Sequence, residues 1–292
     1  MAEQPEERTT IREAVQASTA AGGENQPGFS KNDIADIEDS SRLRAPMIYE
    51  IVRREGEEEM ARPASSLWWS GLGAGLSISF SLVTQGVLQL HTPNAPWRPL
   101  ITGFGYSVGF LLVILARQQL FTENTVTAVL PVTVSVTLLN VARLIRLWSI
   151  VLAANLTGTL FAALFCSFTP VLPPALPGAM LDLSAEMMRN PPLAMFFKAI
   201  AAGYLIAAMV WLIPSAEGAK FLVITLLTYI IAIAGFTHVV AGSFEAFMLV
   251  VNGQLEVSRM IVGFLLPVLF GNVVGGTVLF ALISYAQVAK EV

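Results

Sequence analysis

GFLLVILARQQLFTENTVTAVLP, residues 109–131, is apolar at both ends and polar in the middle, where RQQLFTEN occupies 117–124. It lies inside a hydrophobic stretch from about 101 to 139, much longer than the roughly 20 helical residues that cross a hydrocarbon layer of about 30 Å. One straight helix does not account for it. In lipid an unpaired backbone group costs several kcal/mol, so a polar interruption at that depth persists only where protein buries it or a cavity receives it. The stretch therefore reads as a broken helix beside a cavity. A second stretch, about 221 to 252, is interrupted in the same way by GFTHVVAGSFE at 235–245, so two broken helices are expected to face one cavity.

The rest of the chain agrees with a membrane setting. Of 292 residues 54% belong to the set AVILMFWYC and 13% are charged, and the mean hydropathy is +0.65, values outside the range of a soluble domain. Six hydrophobic stretches follow Pro63, at approximately 66–90, 101–139, 148–169, 193–213, 221–252 and 261–286. Residues 66–290 thus read as a transmembrane domain of six helices, the second and fifth broken. Ahead of it, residues 1–40 have few large apolar side chains and an acidic balance, which reads as a disordered cytoplasmic tail. Across 41–65, Leu43, Met47, Ile48 and Ile51 recur at helical spacing among dense charge. That pattern fits an amphipathic helix on the membrane surface or a solvated helix ahead of the first span.

Composition also removes several classes of function. The net charge of −4 and the lack of a basic stripe argue against nucleic acid as a partner. One cysteine, Cys166, and two distant histidines, His91 and His238, supply neither a disulfide nor a metal site. No nucleophile beside a base and no paired carboxylates are legible, so neither an enzyme nor a cofactor is expected.

The two halves repeat. Phe121-Thr122 at the first break is followed 34 residues later by Asn155, and Phe236-Thr237 at the second is followed 36 residues later by Asn272. With three spans per half, the second half inserts upside down, giving an inverted 3+3 arrangement with both breaks near the midplane. The half-helices starting near Glu123 and Val239 would point positive ends and free amides into the cavity, which favours small anions over cations. His238 is the one ionisable residue at the centre of the fifth stretch, and an intramembrane histidine is a functional candidate by default. The bland alternative is a neutral histidine bonded to backbone. Thr122 enters the second half-helix, where its hydroxyl suits capping and substrate contact alike. Glu123 and Glu245 suit the dipoles of their half-helices, Arg117 suits ordering of the polar loop, and Lys198 suits snorkelling to an interface. Asn155 and Asn272 suit structural hydrogen bonds between helices.

Taken together, residues 109–131, the GFTH break at 235–238 and GNVVGGT at 271–277 resemble the formate/nitrite transporter family in order and spacing, across roughly residues 41–290. The resemblance implies an aquaporin-like six-helix protomer, a homopentamer, and a pore in each protomer for small monovalent anions such as formate, nitrite or hydrosulfide. It matches Thr122 to the family's loop threonine, His238 to its central histidine and Asn272 to the asparagine of the last helix. Phe110, Leu120 and Phe121 match one constriction; Tyr106 and Ile231 fall at the other. The chain departs from formate and nitrite members at Thr237, where some branches carry an acid. It departs also before the fourth helix, where Arg189 is the nearest match to a basic residue.

The expected activity is passage of a weak acid in protonated form, with His238 relaying the proton and Thr122 holding the anion's oxygen, because a bare charge is costly to desolvate between apolar constrictions. A water- or glycerol-type neutral pore and a non-transporting membrane sensor are the rival readings. Basic residues favour both termini on the cytoplasmic side, and the resemblance implies a bacterial inner membrane. Eight tail bases with Arg143, Arg146, Lys220 and Lys290 then lie inside, against Arg98, Arg189 and Arg259 outside.

Overall fold

The structure, a computed structural model, describes residues 43–291; the acidic tail expected over 1–40 lies outside the described residues. The main helices in chain order are α1 (Ala45–Ala61), α2 (Ala64–His91), α3 (Arg98–Leu115), α4 (Asn124–Val134), α5 (Leu138–Phe168), α6 (Leu176–Met188), α7 (Pro192–Ser215), α8 (Lys220–Ile233), α9 (Val239–Val251) and α10 (Val257–Val288). No strand occurs among the described residues. Five helices, α2, α3, α5, α7 and α10, are long and apolar enough to cross a membrane. The protein is an all-α membrane protein.

Both long stretches break where their polar residues cluster. The 101–139 stretch becomes α3, an irregular segment and α4, and the 221–252 stretch becomes α8, an irregular segment and α9. With 14 and 13 residues, α8 and α9 each reach only about 20 Å at 1.5 Å per residue, short of a hydrocarbon layer. The two breaks are built alike. Helix α3 ends with Arg117 in the left-handed region at φ 52°, its N–H donating to Ile114 O at 3.1 Å while Gln118 N–H donates to Val113 O at 2.9 Å. Helix α8 ends with Gly235 at φ 62°, its N–H donating to Ala232 O and Phe236 N–H to Ile231 O, both at 3.0 Å. Each is a Schellman closure, which satisfies carbonyls the broken helix would otherwise leave bare. At Arg117 that closure holds a side chain where glycine is the relaxed choice, a cost of about 1–2 kcal/mol.

The helices flanking the breaks approach closely through exchanged small residues. A Cβ on Gly71 of α2 would lie 2.8 Å from Ala154 Cβ of α5, and a Cβ on Gly271 of α10 would lie 2.6 Å from Ala199 Cβ of α7. Glycine and alanine have swapped helices between the halves, but the contact is the same. Side chains then brace one half against the other. Thr159 of α5 and Ser243 of α9 share a hydroxyl contact at 2.9 Å, and Thr277 of α10 donates to Thr125 O of α4 at 2.7 Å. Around Thr277, α10 widens into a π-helical segment, Val274–Ala281.

Helix α1 does not use the face its sequence suggests. Its buried residues are Ile48, Tyr49, Val52, Gly56 and Met60, whereas Met47 and Ile51 are only half-buried. The reason is Gly56, which sits against the Thr127 carbonyl of α4 with no room for a Cβ. Tyr49 adds a ring contact to Tyr285 of α10 at 5.9 Å. The helix packs on protein along this face, and its charges are knit by Arg53–Glu50 and Arg54–Glu50 pairs at 2.7 and 2.6 Å.

Candidate pore and its central histidine

Two asparagines hold the breaks open. Asn155 Oδ1 accepts from Phe121 N–H at 2.9 Å, and its Nδ2 donates to Gly71 O and Gln119 O, both at 2.8 Å. Asn272 Oδ1 accepts from Val239 N–H at 2.8 Å, and its Nδ2 donates to Ala199 O at 2.8 Å and Thr237 O at 3.1 Å. Each fully buried amide satisfies three backbone groups that a broken helix strands in an apolar interior. The register of the repeat follows from these bonds and from the Schellman closures. Arg117, Gln119 and Phe121 correspond to Gly235, Thr237 and Val239, a constant separation of 118 positions. The pairing of Phe121-Thr122 with Phe236-Thr237 is therefore off by three residues, misled by a shared phenylalanine-threonine pair. In the corrected register Leu120 stands where His238 stands in the other half.

His238 caps α9: its Nδ1 accepts from the Ala241 amide at 3.2 Å. With Nδ1 an acceptor, the proton of the neutral ring sits on Nε2, 2.6 Å from Thr122 Oγ1. The edge of the ring meets Phe110 at 5.1 Å and 79°, and Phe110 in turn touches Tyr106 at 5.1 Å. The structure thus brings Phe110 and Tyr106 of α3 together with Thr122 of the first break and His238 of the second.

Two cavities approach this cluster from opposite ends. One, about 600 Å³, has His238, Thr237, Phe236 and Tyr106 on its wall, together with Lys198 and Glu245. The other, about 370 Å³, is lined by Gln118, Gln119, Glu123, Asn124 and by α1 through Glu55, Glu58 and Glu59. Phe110, Leu120, Phe121 and Thr122 line neither cavity and are buried, as expected of a closed apolar layer. Phe121 is backed by Trp148, ring to ring at 5.8 Å, whose Nε1–H donates to Asn124 O at 3.0 Å. Ile231 and Asn272 are also buried away from both cavities; Asn272 acts on the site through the backbone of Thr237 and Val239.

Several contributors were not visible in the sequence pattern. Lys198 does not snorkel outward: it lines the histidine-side cavity, with Nζ donating to Asn190 Oδ1 at 2.7 Å. Arg189 is exposed and lines neither cavity; the bases on the histidine-side cavity are Lys198 and Arg98. On the other side four carboxylates, Glu55, Glu58, Glu59 and Glu123, face Arg117 and Lys220. Burial there raises the Glu55 carboxyl above the ordinary carboxylate range, Arg117 partly opposes this, and Glu59 and Glu58 add to it. No cluster of metal-ligating side chains occurs among the described residues.

An all-helical membrane protein with two clasped helix breaks, two facing cavities and an apolar layer between them is built as a pore. Comparison with known proteins specifies the kind. The chain belongs to the formate/nitrite transporter family, whose model matches residues 46–286, and members of that family are transporters and not enzymes. It is 46% identical over 254 residues to Inner membrane protein YfdC of Escherichia coli (strain K12), covering 87% of this chain and 82% of that protein. Among solved structures it is similar to an FNT family ion channel, with a TM-score of 0.70 at 22% identity over 83% of this chain and 98% of that one. It is similar also to a pentameric formate channel with formate bound, with a TM-score of 0.65 at 22% identity over 78% and 98%.

Proposed function

We propose that the protein is a homopentameric channel for small monovalent anions of weak acids, formate- or nitrite-like, in a bacterial inner membrane. Each protomer crosses six times as an inverted 3+3 repeat with both termini cytoplasmic and conducts through its own pore. The observation that carries this reading is the 2.6 Å contact between Thr122 Oγ1 and His238 Nε2, placed between a cavity and an apolar layer. Relatives named for formate and for pentameric assembly support the substrate class and the oligomer.

In this reading Lys198 and Arg98 draw the anion into the histidine-side cavity by charge. At the apolar layer the anion's oxygen replaces the Thr122 hydroxyl as acceptor of the Nε2–H. Passage needs neutralisation, since a bare anion pays several kcal/mol to leave water for such a layer. A proton from the cavity binds Nδ1, the hydrogen bond from the Ala241 N–H is released, and the Nε2 proton moves to the anion. The neutral acid passes Phe110, Leu120 and Phe121 while the ring is left neutral with its proton on Nδ1; return to the capped tautomer resets it. The cap makes this relay conditional, because protonating Nδ1 sets two N–H groups face to face. Carboxylates in both cavities, Glu186 on one side and Glu58 on the other, further oppose a bare anion and favour the neutral acid as the crossing species. The test is flux of formate, nitrite, acetate, hydrosulfide and glycerol in proteoliposomes under a pH gradient. Saturable, pH-dependent movement of one small anion is expected; glycerol movement without anion flux would overturn the reading.

A further inference from the structure

A third cavity, about 680 Å³, lies between the C-terminal end of α1 and the start of α5, away from the pore. Its wall carries three arginines, Arg62, Arg143 and Arg146, with Ser135 and Asn140 between them and Glu57 at one edge. The charges are not balanced. Glu57 is held by Arg53 at 2.5 Å, and Arg62 is paired with Glu59 at 3.1 Å. Arg143 and Arg146 have no carboxylate within ion-pair distance among the described residues. They stand three positions apart on α5, hence on one helical face, where two like charges repel unless an anion lies between them. Arg146 is already oriented: its Nη2–H donates to Arg62 O at 3.2 Å, tying it to the end of α1.

Bare apolar side chains lie beside the cavity. Val136 is 79% exposed and Leu138 89% exposed, in the turn leading into α5, beside the cavity-lining Val134. Helix α5 has 31 residues, about 46 Å at 1.5 Å per residue, so it outruns a hydrocarbon layer of about 30 Å and its first turns reach headgroup depth. Unneutralised guanidiniums at that depth, next to side chains that prefer acyl chains to water, match a phosphodiester anion on an apolar tail.

We propose that this cavity binds the headgroup phosphate of an anionic phospholipid, Arg143 and Arg146 holding the phosphate and the Val136–Leu138 turn lying along the acyl chains. The proposal needs only that the chain spans a membrane, and it stands or falls independently of what the pore carries. The test is native mass spectrometry of the full chain released from nanodiscs of phosphatidylcholine mixed with phosphatidylglycerol. Phosphatidylglycerol retained per chain is compared among the parent, Arg143→Gln, Arg146→Gln and Arg259→Gln. The expected result is retention by the parent and by Arg259→Gln, with about fivefold weaker retention for each of the other two. A soluble glycerophosphate arm at millimolar concentration separates the sources, and no retention of it is expected. Equal phosphatidylglycerol retention in all four proteins would overturn the proposal, and so would glycerophosphate binding as tightly as the lipid. Elution of the variants at the parent's size in phosphatidylcholine alone checks that they fold.

Discussion

The break before α4 and the break before α9 share a skeleton and differ in what they carry on it. Both begin with a Schellman closure at a left-handed residue, Arg117 in one and Gly235 in the other, and both are clasped by a buried asparagine on a neighbouring helix. One residue before the clasped amide, one break places Leu120 and the other His238. Repetition has fixed the backbone, while the equivalent side-chain position has diverged into an apolar layer on one side and a polar, titratable ring on the other. Local structure is thus separable from side-chain chemistry here: asparagine holds the backbone of each break, and in the proposed function the residue beside the clasped amide decides what each break does.

Removing the shared part should do the most damage. Asn155→Leu or Asn272→Leu strands three buried backbone groups, at about 1–3 kcal/mol each, and the expected outcome is loss of a monodisperse assembly on size exclusion in detergent. If the halves are equivalent, the two variants fail to a similar degree. One failing while the other stays intact would break the comparison.

Swapping the divergent part comes next. His238→Ala should lower pH-dependent flux by about a hundredfold, the range of a lost proton-transfer group, with the assembly intact. Leu120→Ala should have the opposite sign, raising leak of neutral acid because it thins the apolar layer. Both are read in the same stopped-flow liposome assay. Reduced leak from Leu120→Ala would contradict the role given to its position.

Thr122→Val keeps shape and removes the hydroxyl, leaving His238 Nε2–H without its partner. A flux loss of about tenfold is expected, close to the worth of one buried hydrogen bond, with Thr122→Ser near the parent. A smaller effect belongs to the carboxylates beneath the first break. Glu58→Gln should speed anion entry from the α1 side about two- to threefold at low ionic strength, an advantage erased at about 1 M salt as screening shortens to a few ångströms. Entry from the histidine side should not change.

The smallest expected effect lies outside the membrane, in α1. Arg53 and then Arg54 hydrogen-bond Glu50 and hold its carboxyl down to about 2. A depressed carboxyl contributes stability that is present above its ordinary value of 4.5 and lost as pH falls toward about 2. Because the pair is partly solvated, the contribution is under about 1 kcal/mol. Amide exchange in α1 should therefore be flat from neutral pH to about 5 once corrected for intrinsic rates, and accelerate below about 4.

Much of this architecture was legible because membrane physics writes it into composition. Polar residues inside an overlong apolar stretch announce a break, and His238, Thr122 and Asn272 stand out in a chain this poor in polar residues. The register of the repeat was not legible, since Phe121-Thr122 and Phe236-Thr237 offer a false match, and only the amide bonds of Asn155 and Asn272 reveal the true one. Lys198 looked like a snorkelling lysine because its cavity is made by Tyr106, Phe236 and Glu245, distant in sequence. Helix α1 misled for a similar reason: one glycine, Gly56, sets its packed face, and a hydrophobicity pattern does not weight a residue without a side chain.

The central claim is that the ring at His238, and not the backbone frame it shares with Leu120, neutralises the crossing anion. The direct measurement is formate flux into proteoliposomes from external pH 5 to 8, parent against His238→Ala, with osmotic glycerol swelling as the control. Flux that rises as the external solution is acidified in the parent, and that is low with only the residual slope of free formic acid in the variant, is the predicted result. A variant that keeps the parent's flux and pH profile would contradict the claim.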